Sequence, residues 1–287
     1  MAYRNNVPKM CCHASPKCVV ILHELKFEKE NGTMLLKKKT AVIYGGGGAI
    51  GGAVAKAFAK EGAKVFLAGR TLAKVEKITR EIVAAGGVAE AAQVDALDEP
   101  AVELYAATVA KKAGGIDIVF NAIGFTAVQG RPLTELALSD FLFPIVTWTS
   151  SQFLTARTAA RHMATKRSGV ILTLSASPAR LAIAMTGGFG VACAAIEGLS
   201  RTLTAELSPQ GIRVVCLRPH RITDTLNAAD FPDMKLDEFR GFLESMTLLK
   251  KMPTLAEVAD TAVFLASDKA SAMTGATANL TCGLDID

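Results

Sequence analysis

The chain has 287 residues, of which 50% are hydrophobic, and this is enough for one large α/β domain or two small ones with a buried core. The formal net charge of +5 is mild for this length, and basic and acidic residues alternate on helical stretches such as residues 74–82. This distribution argues against a nucleic-acid-binding surface. No segment is apolar for long enough to span a membrane.

Residues 1–33 differ from the rest of the chain because they have no hydrophobic period and no secretory signal pattern. We expect them to form a poorly structured appendage to a domain over residues 34–287. We also expect a cytoplasmic protein with reduced thiols. Three cysteines and two histidines of the appendage have a spacing that suits zinc poorly, so no metal site is predicted there: Cys11, Cys12, Cys18, His13 and His23.

From Met34 onward, short apolar runs alternate with longer stretches that have apolar residues at three- and four-residue spacing. The first pattern is typical of buried strands and the second of helices. Seven segments have the strand pattern: 40–45, 64–69, 88–95, 116–122, 169–175, 212–219 and 276–281. Apolar strands separated by helices predict an α/β domain with a doubly wound parallel sheet, the Rossmann fold, which binds ligands at the carboxyl ends of its strands.

The first strand runs directly into the glycine-rich sequence YGGGGAIGGAVA, residues 44–55. Gly46, Gly48 and Gly51 match the pattern G-x-G-x-x-G, and they lie between a predicted strand and a predicted helix, as this motif requires. Glycines at these places let backbone N–H groups approach a pyrophosphate at the helix N-terminus. A merely flexible turn is the alternative, but the flanking elements favour a dinucleotide-binding loop.

The end of the second strand bears on the choice of cofactor. NAD-binding folds carry an acid about 20 residues beyond the glycines, where it binds the ribose 2′-hydroxyl. Here the strand ends LAGRT, so Arg70 stands in this neighbourhood and no acid is present. A guanidinium binds a phosphate through charge-assisted, bidentate contacts. We therefore predict NADP(H) as the cofactor.

A long connection over residues 223–250 follows the sixth predicted strand. Long connections at the ligand edge of such a sheet are often substrate lids. This one mixes Phe, Met and Leu with acids, a mixture that indicates an amphipathic helix over an apolar pocket but does not identify a substrate.

From about residue 38 to its C-terminus, the chain resembles the short-chain dehydrogenase/reductase family. The resemblance rests on the glycine loop and on four further segments: VDALD (94–98), NAIG (121–124), RPHRI (218–222) and the terminal stretch 254–283. His220 replaces the glycine of the family's P-G-x-I motif, while Tyr44 and Ala49 replace a threonine and a glycine of its loop. The resemblance implies that the following residues contact the cofactor: Gly45, Gly47, Gly48, Ile50, Arg70, Thr71, Asp95, Ala96, Asn121, Ala122, Ile123, Pro219 and Ile222.

The family's reactive centre is a serine, a tyrosine and a lysine, supported by an asparagine. Tyrosine and lysine lie four residues apart on one helix face, and the ammonium lowers the phenol's pKa from about 10 so that it exchanges a proton with the substrate oxygen. The sequence AAIEGLSR (194–201) matches the residues after that lysine and sets the alignment. In this alignment the asparagine, serine, tyrosine and lysine positions are occupied by Trp148, Ala176, Phe189 and Cys193.

None of these four residues can supply the usual proton, and no tyrosine of the chain is available nearby. We expect Cys193 to be a small buried thiol. Its four-residue spacing from Phe189 also predicts that the two face the nicotinamide pocket together. Ser177 and His220 are weak candidates for a replacement proton donor.

Three functions stay open. The first is an NADP(H)-dependent oxidoreductase that acts on a small molecule without the Ser-Tyr-Lys mechanism, because hydride transfer is mainly the cofactor's chemistry. The second is a catalytically inactive binding protein or partner subunit. The third is a non-redox lyase or cyclase on the same fold. The resemblance also implies a homo-oligomer, a tetramer, with interfaces in segments 135–165, 186–208 and 270–283, which are rich in small and apolar residues.

Overall fold

The structure is a computed structural model that describes residues 34–227 and 235–286. The strands of the described residues are β1 Thr40–Tyr44, β2 Lys64–Gly69, β3 Val88–Gln93, β4 Ile118–Asn121, β5 Gly169–Leu174, β6 Ile212–Pro219 and β7 Thr277–Leu280. The helices are α1 Ala49–Lys60, α2 Leu72–Ala84, α3 Glu99–Ala113, α4 Leu138–Lys166, α5 Gly188–Leu207, α6 Leu236–Met246 and α7 Leu255–Ala266.

The strands form one sheet in the order β3-β2-β1-β4-β5-β6-β7, and every neighbouring pair is parallel. The predicted doubly wound parallel sheet of about seven strands is therefore confirmed. All residues of the central strands β1, β4 and β5 are buried, because helices cover both faces there. The edge strands β3 and β7 have no fully buried residue.

Apolar side chains on both faces of the sheet form the core. One buried cluster includes Val54 and Phe58 of α1 and Val258 of α7, and the other includes Val102 of α3 and Met163 of α4. The helices begin where local chemistry favours a start. At α7, Thr254 Oγ1 accepts a hydrogen bond from Glu257 N at 3.2 Å, and the Glu257 carboxylate accepts from Thr254 N at 2.9 Å. This reciprocal capping satisfies two backbone donors at the helix start.

The strand order reverses at β1, which lies between β2 on one side and β4 on the other. The connections leave β1 and β4 in opposite directions, and a crevice opens outside their carboxyl ends. The glycine loop connects β1 to α1 at this crevice. The fold therefore places the glycine loop where such sheets bind nucleotides.

The predicted lid is described only in part, since residues 228–234 lie outside the described residues. Helix α6 lies within it, and Phe239 and Leu243 pack with Met252 in a small buried cluster apart from the main core. The five Cys and His residues of the N-terminal appendage also lie outside the described residues. None of the helices in 34–227 and 235–286 is long and apolar enough to cross a membrane.

Candidate active site

A cavity of about 230 Å³ opens at the carboxyl ends of β1 to β4. Nine of the residues that the sequence assigns to the cofactor line it: Gly45, Gly47, Gly48, Arg70, Thr71, Asp95, Ala96, Ala122 and Ile123. The other four, Ile50, Asn121, Pro219 and Ile222, do not line this cavity. The cavity thus brings together the glycine loop and the ends of four strands that are distant in sequence.

The glycine loop lies close to the neighbouring backbone, as the motif predicts. Gly45 has φ +75°, and a Cβ there would lie 2.5 Å from the carbonyl oxygen of Ala122. A Cβ on Gly51 would collide with the carbonyl oxygen of Gly45. Gly48 is the residue before α1, and no side chain caps the amide groups at this helix start. The loop therefore forms a cradle of backbone donors that fits a pyrophosphate.

Two cations lie at the β2 end of the cavity. Arg70 follows β2 directly and is exposed, and its backbone oxygen accepts a hydrogen bond from Gln93 Nε2 at 3.0 Å. Lys74 also lines the cavity, one turn further along the chain in α2, and packs against Gly47. The Thr71 side chain caps no amide of α2. Lys74 was not predicted from the sequence, although its spacing of four residues from Arg70 is a signal for a shared site.

Asn121 is 2% exposed and acts within the protein interior. Its Nδ2 donates to Thr155 Oγ1 at 3.0 Å, and its Oδ1 accepts from Ile123 N at 3.1 Å. These bonds tie the end of β4 to α4 and shape the segment that forms one wall of the cavity. Asn121 therefore positions this wall in the structure.

The four residues that the sequence alignment predicts at the reactive-centre positions have aromatic, apolar or thiol side chains. Trp148 is buried and stacks on Phe189, with ring centroids 5.5 Å apart and an interplanar angle of 14°. Phe125 meets both rings edge-on. Ala176 is partly buried against the main core and offers no side-chain hydrogen bond. The three rings of Phe125, Trp148 and Phe189 therefore form one aromatic cluster.

Cys193 is 0% exposed and belongs to the main core. Burial is the main reason why its pKa is raised, to about 12, so the thiol stays protonated at neutral pH. The expectation of a small buried thiol is confirmed. Cys193 thus has no open surface, and the expectation that it faces the nicotinamide pocket together with Phe189 stays a prediction. Phe189 alone of the two is partly exposed.

The two candidate proton donors, Ser177 and His220, are in contact. This contact could not be predicted, because the two residues are far apart in sequence. Ser177 Oγ is 3.2 Å from His220 Nδ1, and the two residues are 3% and 8% exposed. Burial, followed by the charge of Arg221, lowers the pKa of His220 to about 4. The imidazole is therefore neutral near pH 7.

A buried ionic network lies behind this pair, and the sequence analysis did not predict it. Arg218 of β6 is 1% exposed, and its guanidinium lies 3.3 Å from Glu197 of α5 and 3.1 Å from Asp285 near the C-terminus. Ser175 Oγ donates to Glu197 Oε1 at 3.0 Å. The network links α5, β6 and the C-terminal segment below the carboxyl ends of β5 and β6.

Tyr44 and Tyr105 are unsuited to replace the family's tyrosine. Their rings meet edge-on at 6.0 Å, and burial raises the pKa of both phenols above the ordinary value. The hydroxyl of Tyr105 is buried, and its side chain packs against the core. In the described ranges, no group of three or more His, Cys, Asp or Glu residues could hold a metal ion.

Comparisons with known proteins agree with this geometry. A family model described as enoyl-(acyl carrier protein) reductase matches residues 47–285. Short chain aldehyde dehydrogenase 1 of Euphorbia lathyris is 30% identical over 247 residues, covering 84% of this chain and 85% of that protein. An uncharacterized oxidoreductase of Mycobacterium tuberculosis is 33% identical over 256 residues, covering 87% and 93% of the two chains.

The similarity extends to solved structures. A short-chain type dehydrogenase/reductase from Mycobacterium marinum superposes with a TM-score of 0.78 at 26% identity, covering 89% of this chain and 98% of that one. The members of this family bind nicotinamide cofactors and act on small molecules. By sequence, by sheet order and by the cradle after β1, the chain belongs to the short-chain dehydrogenase/reductase family of oxidoreductases.

Proposed function

We propose that the protein is an NADP(H)-dependent oxidoreductase that acts on a small molecule without the family's Ser-Tyr-Lys mechanism. The observation that carries the cofactor choice is the group of Arg70, Thr71 and Lys74 at one end of the cavity, with no carboxylate after β2. Two cations and a hydroxyl at the start of α2 suit a 2′-phosphate. A ribose 2′-hydroxyl would instead prefer an acid there.

The chain's own residues have separate tasks in this proposal. The glycine loop would bind the pyrophosphate through backbone amides, and Asp95 and Ala96, which line the cavity after β3, would hold the adenine ring. Bound NADPH supplies the hydride. The rings of Phe125, Trp148 and Phe189 exclude water from the neighbourhood of the reacting carbon and orient an apolar substrate.

The cofactor preference has a direct test in the Arg70→Asp variant. Wild-type protein is expected to bind NADPH more tightly than NADH by isothermal titration calorimetry. The variant should lose about 3 kcal/mol of NADPH binding, because charge-assisted bonds disappear and a carboxylate repels the phosphate. Arg80→Asp, which changes the same charge on the exposed part of α2, should leave both affinities nearly unchanged. Equal affinities of the wild type for the two cofactors would contradict the proposal.

A binding protein or partner subunit is the second candidate. Side chains without catalytic groups at the predicted reactive-centre positions favour this candidate. Trp148 stacks on Phe189 there, and Cys193 is buried in the core. This candidate shares the cofactor affinity of the first but predicts no turnover under any condition. Single-turnover measurements with bound NADPH therefore distinguish the two.

We further propose a homo-oligomer, a tetramer, whose interfaces include α4 and α5. The support is an exposed apolar stripe on α4 at helical spacing, formed by Leu138, Leu142, Val146 and Phe153, which are 71%, 41%, 56% and 42% exposed. Val191 of α5 adds to exposed apolar surface in the expected segment. The oligomer is proposed to be cytoplasmic, with residues 1–33 as an appendage and residues 223–250 as the substrate lid.

The oligomer prediction is checked by light scattering at micromolar concentration. The wild type should have a multiple of the 30.1 kDa chain mass. Val146→Glu should reduce this mass, because a buried carboxylate without a partner opposes association. Leu104→Glu, on the exposed face of α3, serves as the control and should leave the mass unchanged. A monomeric wild type would overturn the proposal.

A further inference from the structure

Ser177 and His220 meet at the ligand edge of the sheet. Ser177 begins a short 3-10 turn just beyond β5, and His220 follows β6 directly. Because β5 and β6 are neighbouring parallel strands, their carboxyl ends lie side by side. Ser177 is also the residue next to Ala176, where the family places its serine. The Ser177 hydroxyl and the His220 imidazole are therefore in contact next to Ala176, the position predicted for the family's serine.

The second nitrogen of the imidazole lacks a partner. His220 is 8% exposed, its Nδ1 lies 3.2 Å from Ser177 Oγ, and its buried Nε2 has no hydrogen-bond partner among the described residues. A buried polar atom without a partner costs free energy, so this nitrogen favours a ligand that would pair with it. A purely structural reason for an imidazole here would predict that both nitrogens are satisfied.

We propose that Ser177 and His220 form a proton-transfer pair that replaces the missing tyrosine. In this proposal Ser177 is the catalytic residue, whose hydroxyl donates to the substrate oxygen, and His220 is a positioning residue that holds the proton. The proposal rests on the proposed function, because the reductant is bound NADPH.

The step is balanced. In carbonyl reduction, a hydride from NADPH forms the new C–H bond while the C=O π bond breaks, and NADPH becomes NADP⁺. The substrate oxygen takes the proton of Ser177 Oγ. Ser177 in turn takes the proton from Nδ1 of the His220 imidazolium, which becomes neutral and keeps its Nε2 proton. Alcohol oxidation runs through the same transfers in reverse.

The charges around His220 decide when the proton is available. Burial and Arg221 lower the pKa of His220 to about 4. The acids on the packed elements, Glu197 of α5 and Asp285 of the C-terminal segment, are engaged by Arg218 of β6. Cys193 of α5 stays a neutral thiol. Reduction needs the imidazolium, so its rate should fall about tenfold for each pH unit above 4.

Nuclear magnetic resonance tests the pair without turnover. The chain has four histidines, and His220→Gln identifies the resonances of His220. We expect a neutral Nε2–H tautomer from pH 8 to pH 5, with an Nδ1 resonance that shifts in Ser177→Ala because its hydrogen bond is lost. An Nδ1–H tautomer, or an Nδ1 resonance that does not shift in Ser177→Ala, would overturn the proposal.

The second test is the pH profile of kcat/KM for NADPH consumption with 4-nitrobenzaldehyde between pH 8 and pH 5. The wild type should become faster with falling pH. His220→Gln and Ser177→Ala should lose this rise, while Ser177→Thr, which keeps the hydroxyl, should retain it. His162→Gln is the matched control on α4 and should behave as the wild type.

The outcomes separate the two proposals. A flat wild-type profile, or no turnover at pH 5 while calorimetry shows bound NADPH, would overturn the proton-transfer pair and leave the cofactor proposal standing. Failure to bind NADPH at all would contradict the proposed function. Circular dichroism at each pH confirms that the variants compared are folded.

Discussion

At pH 7 the unmodified protein is expected to reduce simple ketones and aldehydes far below ordinary enzyme rates of about 1–10³ per second. The developing alkoxide needs a proton and a hydrogen-bond donor, but Phe189 and Ala176 supply neither. Each missing donor of this kind typically costs ~3–4 kcal/mol of transition-state stabilisation. The remaining pair of Ser177 and neutral His220 carries no transferable imidazolium proton at this pH.

The measurement is NADPH consumption at pH 7 with a panel of small ketones and aldehydes, with cofactor binding verified first by calorimetry. Turnover at ordinary rates would mean that the alignment of the reactive centre or the mechanism is wrong. Ala176→Ser alone restores one hydrogen-bond donor but no acid, so it should raise the rate and still leave it below ordinary enzyme rates.

The combined variant Ala176→Ser, Phe189→Tyr and Cys193→Lys should regain part of the activity. The Cys193→Lys change limits this recovery, because it places an ammonium at a core position that is 0% exposed. Glu197, four residues further along α5, is the nearest acid on that helix face. We therefore expect the triple variant to unfold at lower urea concentration than the wild type. Its activity is divided by the concentration of folded protein before the two proteins are compared.

Replacing Arg218 by methionine is expected to cost about 3–5 kcal/mol of unfolding free energy. The substitution removes the guanidinium between Glu197 and Asp285 and leaves two buried carboxylates without their cation. A buried charge that loses its partner keeps its desolvation cost and loses the attraction that offset it. Most of the expected loss of unfolding free energy comes from the two carboxylates left without a cation, rather than from the lost contacts of the arginine.

Urea denaturation measures this loss, with Arg161→Met as the matched control. Arg161 pairs with Glu103 at the surface, where its side chain is 60% exposed, and such pairs contribute at most about 1 kcal/mol. Adding Glu197→Gln and Asp285→Asn to Arg218→Met should recover part of the stability, because the uncompensated charges disappear. If Arg218→Met cost no more than Arg161→Met, the network would not stabilise the fold.

Local chemistry determined much of the fold in advance. The strands could be predicted because each is a short apolar run bounded by turns, and the pattern depends only on residues near in sequence. The glycine loop was equally readable, since Gly51 is required by its close approach to the Gly45 carbonyl within one strand–helix turn, although the approach of Gly45 to Ala122 after β4 is a tertiary contact. The place of Arg70 in the cavity could also be predicted, because the residue directly follows the strand pattern of β2.

The tertiary structure decided what lies in contact across the sheet. Ser177 and His220 are 43 residues apart and meet because β5 and β6 are neighbours, which no local pattern specifies. The ion pairs of Arg218 with Glu197 and Asp285 also join residues that no local pattern brings together. The spacing of Phe189 and Cys193 predicted one shared face, but packing of α5 against the sheet buries the sulfur and leaves the ring stacked on Trp148. Sequence spacing gives the face of a helix, whereas burial depends on which other elements cover that face.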